Sequence, residues 1–176
     1  QRMQDSSAEL ARLLNIPVIL LVNAKSTAYS VAPMISGFKN FSPKVRIAGV
    51  VFNQVSSASH YQHLKAACQD VGVECLGYLP FSKALKVPSR HLGLSLGAKK
   101  RMDEQIARTA ELVAHHVDLD RLLECCQTRW IEGKERSLGK GSLKIVVAKD
   151  AAFNFIYREN LEQLHRLGTV AFFSPL

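Results

Sequence analysis

Apolar runs that alternate between strand and helix character predict an α/β fold for this chain: a parallel sheet covered by helices on both faces, followed by the start of a second α/β unit. Three observations carry the prediction. Ile16–Val22 is an unbroken apolar run rich in β-branched residues, the pattern of a parallel strand buried on both faces. Two further runs, Val45–Phe52 and Val73–Leu79, follow it, with helix-period segments between them. A polar, glycine-rich stretch, Gly133–Ser142, then separates a second strand–helix–strand pattern from the first.

Element by element, Ser6 with Glu9 three residues later is a capping-box pattern, and it opens a helix through Leu10, Leu13 and Leu14 that Asn15-Ile16-Pro17 closes. After the first strand, Asn23–Thr27 forms a turn. A helix from about Ala28 to Phe38 is expected to bury Val31, Met34, Ile35 and Phe38, with Pro33 implying a late start or a kink. The second strand is expected to end at Asn53. A helix from about Ser59 to Val71 repeats apolar positions at Tyr61, Leu64, Ala67, Cys68 and Val71, and the third strand stops at Pro80. Right-handed crossovers turn this α-β-α-β-α-β order into a parallel sheet. Phe81–Gly97 reads as irregular. Arg101 to about Cys126 reads as one long amphipathic helix with Asp103 and Glu104 in its first turn. Beyond the glycine-rich stretch come a strand at Leu143–Ala148, a helix at Glu159–Leu167 and a strand at Thr169–Phe173. The expected organisation is therefore residues 1–132 as the later part of one domain, 133–142 as a linker, and 143–176 as the opening of another. The N-terminus, Gln1-Arg2-Met3, reads as a break within a longer protein.

Composition narrows the function classes. Of the 176 residues, 47% are apolar and 22% charged, enough to build a packed core. No apolar run approaches the roughly 18 residues that cross a bilayer, so no membrane association is expected. The cysteines are Cys68, Cys75, Cys125 and Cys126; adjacent cysteines rarely pair, and a chain of this size folds without disulfides, which points to a reducing, cytoplasmic setting. The formal charge of +8 would suit nucleic acid, but the basic residues are dispersed and no recognition-helix pattern accompanies them. Attraction of a small anionic ligand fits equally well.

Several motifs fail on spacing. Gly139-Lys140-Gly141-Ser142 is not a phosphate loop, because its distance from Gly133 is wrong and a strand follows it where a helix is required. His60 and His63 share a helix face, with Cys68 beyond, but no third ligand stands at a sensible spacing. Neighbours such as His115-His116 and Cys125-Cys126 point apart on a helix. Asn53 is more informative. At the carboxyl edge of a parallel sheet it lies where open α/β sheets bind ligands. Its amide offers a donor and an acceptor that complement the N6 and N7 edge of adenine; a strand-ending turn residue is the equally weighted alternative. Arg90 and His91, side by side in a loop after the third strand, could meet phosphate or carboxylate, or simply be solvated.

Ser7-Ala8-Glu9-Leu10-Ala11, Ile16-Pro17-Val18, Gly49–Asn53, Gly77-Tyr78-Leu79-Pro80 and Pro88–Leu94 occur in order with family-like spacing, and together they resemble cobyrinic acid a,c-diamide synthases. Ala148–Leu161 looks like the opening of the glutamine amidotransferase domain of that family, and Phe172–Leu176 like that domain's second strand. The resemblance implies a P-loop NTPase-like fold lacking its first strands, similar to dethiobiotin synthetase. It implies a ligase that uses ATP and Mg2+ to phosphorylate a carboxylate of a corrinoid (cobyrinic acid) and takes ammonia from glutamine. It places Asn53 and Pro80 against adenine, Ser6 and Ser7 near the magnesium and phosphate loops, and Arg90 and His91 on the substrate or phosphate side. It implies no nucleic acid, no metal ligands in this segment, and allows a homo-oligomer. Departures are visible: the phosphate loop is absent, Asn23 stands where the family usually has Asp, Arg158 replaces a common proline, and none of the cysteines occupies the place of the glutaminase nucleophile. On this reading no catalytic residue lies in the segment. Competing readings are cobyric acid synthase, a nickel-sirohydrochlorin diamide synthase, and a degenerate, non-catalytic nucleotide-binding module.

Overall fold

A computed structural model describes residues 6–82, 89–90, 93–94, 99–129 and 141–176. The chain divides into two units, residues 1–129 and 130–176.

In the first unit, α1 (Ser7–Leu14) begins at the N-cap Ser6, whose hydroxyl accepts the Glu9 N–H at 3.1 Å, and ends at Asn15 in the left-handed conformation. Strand β1 (Val18–Asn23) follows, then α2 (Val31–Phe41), β2 (Ile47–Val55), α3 (Ala58–Val71) and β3 (Cys75–Pro80). The three strands are parallel in the order β1-β2-β3, as the crossover argument requires. The late start of α2 follows from Pro33, which falls in its first turn, where the missing N–H would have no helical partner in any case. Helix α3 is closed by Gly72 at φ +66°, and Lys39 of α2 reinforces that end by donating to the carbonyls of Val71 and Gly72 at 2.8 and 3.0 Å.

Strand β2 is central, and alternate residues serve opposite faces. Val50 and Phe52 pack with Ile35 of α2 and Leu64, Ala67 and Cys68 of α3; Val51 packs on the other face with Leu76 and Val117. Full burial of side chains such as Phe52, Ile35 and Leu64 contributes about 1.5–3 kcal/mol each. Two expectations change here. Met34 and Phe38 are exposed, so the buried stripe of α2 is Val31, Ala32 and Ile35. Strand β1 is not buried on both faces: among the described residues it pairs with β2 alone, and Leu21 is 64% exposed.

Two short strands, β4 (Ser89–Arg90) and β5 (Gly93–Leu94), pair antiparallel within the stretch expected to be irregular. The long helix is in fact two, α4 (Lys99–His116) and α5 (Leu119–Cys125). Between them Val117 makes an antiparallel bridge to Gly77, and the Asp118 N–H donates to the Leu76 carbonyl at 2.8 Å. The Asp118 carboxylate then caps α5 by accepting the Arg121 N–H. Because α4 begins at Lys99, Asp103 and Glu104 fall in its second turn rather than its first. Helices α2 and α3 cover one face of the sheet, and the α4–α5 region covers the other.

The second unit contains β6 (Leu143–Ala148), α6 (Arg158–Leu167) and β7 (Gly168–Phe173), with the two strands parallel. Gly168 is extended, and a Cβ there would lie 1.9 Å from the Leu143 carbonyl oxygen, so glycine permits the close pairing of β6 with β7. Asp150, just beyond β6, accepts the N–H groups of Ala152 and Phe153 at 2.8 Å and the Ser174 hydroxyl at 3.0 Å. It thereby ties the loop after β6 to the end of β7. Residues 133–140 of the expected linker lie outside the described residues.

Candidate functional site

The parallel register brings the ends of β1, β2 and β3 to one edge of the sheet. Asn53 pairs with Asn23 of β1 on one side and Leu79 of β3 on the other, and Val55 pairs with Pro80. Asn53 therefore lies inside β2, two residues short of its end, rather than after it. The strand continues because pairing partners are present on both sides. Between Asn53 and Val55 the register shifts by a bulge at Gln54, which sits at φ +62°. Such a bulge re-aims the residues at a strand end.

The Asn53 side chain is part-buried, and its Oδ1 accepts the Gln54 N–H at 2.9 Å, which fixes the amide plane. A carbonyl oxygen has a second lone pair, and among the described residues the Asn53 Nδ2 donates to nothing. The amide thus keeps one acceptor site and both of its N–H donors for a ligand. The Asn53 carbonyl accepts the Ala24 N–H at 2.8 Å, while Asn23 Oδ1 accepts the Lys25 N–H at 3.0 Å, so the two register-matched asparagines together shape the loop after β1.

That loop is tied to the one after β2 by His60. Its Nδ1 accepts the Ser56 N–H at 3.2 Å, which leaves the proton on Nε2 to be donated to the Thr27 carbonyl. Ser57 caps α3 by accepting the His60 N–H. Thr27 Oγ1 is buried and has no hydrogen-bond partner among the described residues, and its neighbour Ser26 sits at φ +59°. The role of His60 as a bridge between two loops is not visible in the sequence, where it reads only as a histidine three residues from His63. The capping serine before it and the edge position of Ser56 are the signals that place it. Among the described residues no group of three or more His, Cys, Asp or Glu is placed to hold a metal ion.

The other sequence-predicted residues are distributed differently. Pro80 ends β3 at the same edge as Asn53, and the Phe81 N–H beyond it donates to Val55. The Ser6 hydroxyl serves as the cap of α1, and Ser7 lines an apolar groove of about 550 Å3 with Val18, Leu20, Met34, Phe38 and Ile47. Arg90 is in β4, paired with Gly93. His91 lies outside the described residues.

A parallel sheet with helices on both faces places this unit among the open α/β domains, whose ligands bind at the carboxyl edge of the strands. Residues 6–94 match the CobQ/CobB/MinD/ParA nucleotide binding domain, and the chain belongs to that family. Its curated relatives include cobyrinate a,c-diamide synthases. The protein of that name from Clostridium acetobutylicum is 37% identical over 175 residues, covering 97% of this chain and 40% of the relative. That from Limosilactobacillus reuteri is 39% identical over 97% of the chain and 38% of its own length. That from Methanosarcina barkeri is 35% identical over 97% and 38%. The chain thus spans about 40% of the length of the curated relatives it matches. No solved structure matches it. Among the described residues no helix is long and apolar enough to cross a membrane.

Proposed function

We propose that this chain is part of an ATP-dependent, glutamine-hydrolysing amidoligase that amidates the a and c acetate carboxylates of cobyrinic acid. Residues 1–132 supply the later part of the ATP-using domain, 133–142 a linker, and 143–176 the opening of the glutamine amidotransferase domain. The observation that carries the reading is the extent of the match: 97% of the chain aligns with cobyrinate a,c-diamide synthases, through the nucleotide-binding unit and on into β6, α6 and β7. A nucleotide-binding module of another kind would not need the second unit.

The division of labour follows from the chemistry. A carboxylate is a poor electrophile, so its oxygen first takes the terminal phosphoryl group of ATP and releases ADP. Ammonia from glutamine then attacks the acyl carbon, and phosphate leaves. In this scheme the Asn53 Nδ2 donates to adenine N7 and Oδ1 accepts from N6, using positions left over after the Gln54 contact. Pro80 flanks the base from β3. Arg90 and His91 meet the carboxylate or phosphate, and Ser6 and Ser7 stand toward the phosphate side. Mg2+ would supply charge neutralisation on the phosphates when bound. The +8 charge favours approach of two polyanions, ATP and a polycarboxylate.

The test is a product assay on the intact enzyme that carries this chain. Cobyrinic acid, ATP and glutamine should yield the a,c-diamide with one ADP and one glutamate for each amide formed. ATP turnover with no amide product would overturn the assignment.

A further inference from the structure

The two chain segments that form the candidate ligand edge each contain a strained residue. Ser26, in the loop after β1, sits at φ +59°, and Gln54, one residue short of the end of β2, sits at φ +62°. A left-handed backbone is unfavourable for a residue with a side chain, and it persists only where the surroundings hold it. The ends of both segments are held by the sheet and by α3. The Ala24 N–H donates to the Asn53 carbonyl at 2.8 Å, and Ala24 is fully buried. The Phe81 N–H donates to the Val55 carbonyl at 3.0 Å. Tyr29 anchors the far end of the first segment by donating to the Asp70 carboxylate at 2.6 Å. Between these anchors the two segments are joined by His60.

His60 stands on the first turn of α3, where its N–H donates to the Ser57 hydroxyl at 3.1 Å, so its backbone is fixed by the helix cap. Only one tautomer of the ring satisfies both sides. The Ser56 N–H, at 3.2 Å, can only donate, so Nδ1 accepts; the Thr27 carbonyl can only accept, so Nε2 carries the proton. The Ser56 hydroxyl, 3.0 Å away, faces the same Nδ1. The reversed tautomer would set a lone pair against the Thr27 carbonyl and an N–H against the Ser56 N–H. Thr27 directly follows Ser26, and Ser56 is two residues beyond Gln54, so one imidazole grips both segments beside their strained residues. Asn53 lies between them, bonded through its carbonyl to Ala24 and through Oδ1 to Gln54.

We propose that His60 is a positioning residue for the nucleotide, a role that rests on the amidoligase reading. It touches no substrate itself. By joining Thr27 to Ser56 it keeps the segments on either side of Asn53 in the shape that receives the base. The ordering of those segments is then complete before the nucleotide arrives, which is the advantage of a preorganised site. Without the ring the segments would order only on binding, so the loss falls on nucleotide affinity rather than on the chemical step. His63, three residues further along α3 and exposed, makes none of these contacts.

The experiment uses the intact enzyme that carries this chain, and it pairs calorimetric titration with ADP with steady-state kinetics in ATP. His60→Ala should weaken ADP binding and raise the ATP KM by about three- to tenfold, the net worth of one or two hydrogen bonds. The corrinoid KM and the kcat at saturating ATP should hold. His60→Gln, whose amide can donate to Thr27 in place of Nε2, should recover most of the loss, and His63→Ala should match the unsubstituted enzyme. Should His60→Ala fail to fold, His60→Asn is read in the same way, because it keeps an acceptor toward Ser56 but is too short to reach Thr27. An ADP affinity and ATP KM that ignore the loss of the ring, or a glutamine variant as impaired as the alanine one, would overturn the proposal. ADP binding needs no amide formation, so the two readings fail separately. An enzyme that forms no diamide but binds ADP in a His60-dependent way contradicts the ligase assignment alone. One that forms the diamide with an ADP affinity independent of His60 contradicts this proposal alone.

Discussion

Glycine positions separate backbone necessity from mere tolerance. At Gly77, φ is +134° and an added Cβ would lie 2.2 Å from the His116 carbonyl oxygen, inside the contact between β3 and the α4–α5 junction. Gly77→Ala should therefore cost about 3 kcal/mol or more, measured by denaturant unfolding. At Gly37, within α2, an added Cβ meets nothing within 4 Å. Gly37→Ala should stabilise by about 0.4–1 kcal/mol, because alanine restricts the unfolded chain. A similar loss at both positions would contradict the distinction. Lys39 offers a third residue-scale test: Lys39→Met keeps much of the aliphatic stem but removes the donors at the carboxyl end of α3. It should lower stability by about 0.3–1 kcal/mol, with the effect shrinking at high salt. Asp150 ties pH to the second unit. The Phe153 N–H, with those of Ala152 and the Ser174 hydroxyl, holds its carboxyl below the ordinary range, against a smaller opposing effect of burial. A depressed folded value means that its stabilisation is present above the unfolded carboxylate value and is lost as pH falls through the folded one. Asp150→Asn should flatten the acid limb of a melting curve that follows the β6–β7 unit, and leave the melting point near neutral pH lower than that of the unsubstituted chain.

At the scale of elements, what could be read from the sequence was what local pattern encodes. The α3 stripe of Leu64, Ala67 and Cys68 is buried as its spacing predicts, Pro33 delays α2, and β6, α6 and β7 fall within a residue of expectation. The failures have tertiary causes. The apolar period that suggested one helix from Arg101 to Cys126 runs on through α5, with Val113, Leu122 and Cys125 all packed against the same cluster. The break at Val117 and Asp118 is set by Gly77 and Leu76, far away in sequence. Strand β2 overran its expected end because β1 and β3 both offer partners to Asn53. Leu21, Met34 and Phe38 match the buried pattern yet remain exposed, since hydrophobic periodicity names a face but not what lies against it. For the candidate site, the order of elements gives the placement of Asn53 and Pro80 at one edge of the sheet. The Gln54 bulge and the His60 bridge depend on side-chain hydrogen bonds across loops, which spacing does not record.

For the molecule as a whole, the central claim is that the edge formed by Asn53 and Pro80 reads adenine in an amide-forming ligase. The most direct measurement is steady-state kinetics of Asn53→Ala in the intact enzyme, with ATP and with GTP. A bidentate amide–adenine contact is worth roughly 1–3 kcal/mol of base discrimination, and each 1.4 kcal/mol is about tenfold in affinity. The account predicts an ATP KM raised about tenfold and a narrowed preference for ATP over GTP. The corrinoid KM should hold because the base is remote from the carboxylate, and the kcat at saturating ATP should hold if the proposed contact is made equally in the ground and transition states. An unchanged ATP KM together with an unchanged nucleotide preference, in a variant shown to be folded, would contradict it and leave Asn53 as the residue that positions the Gln54 bulge.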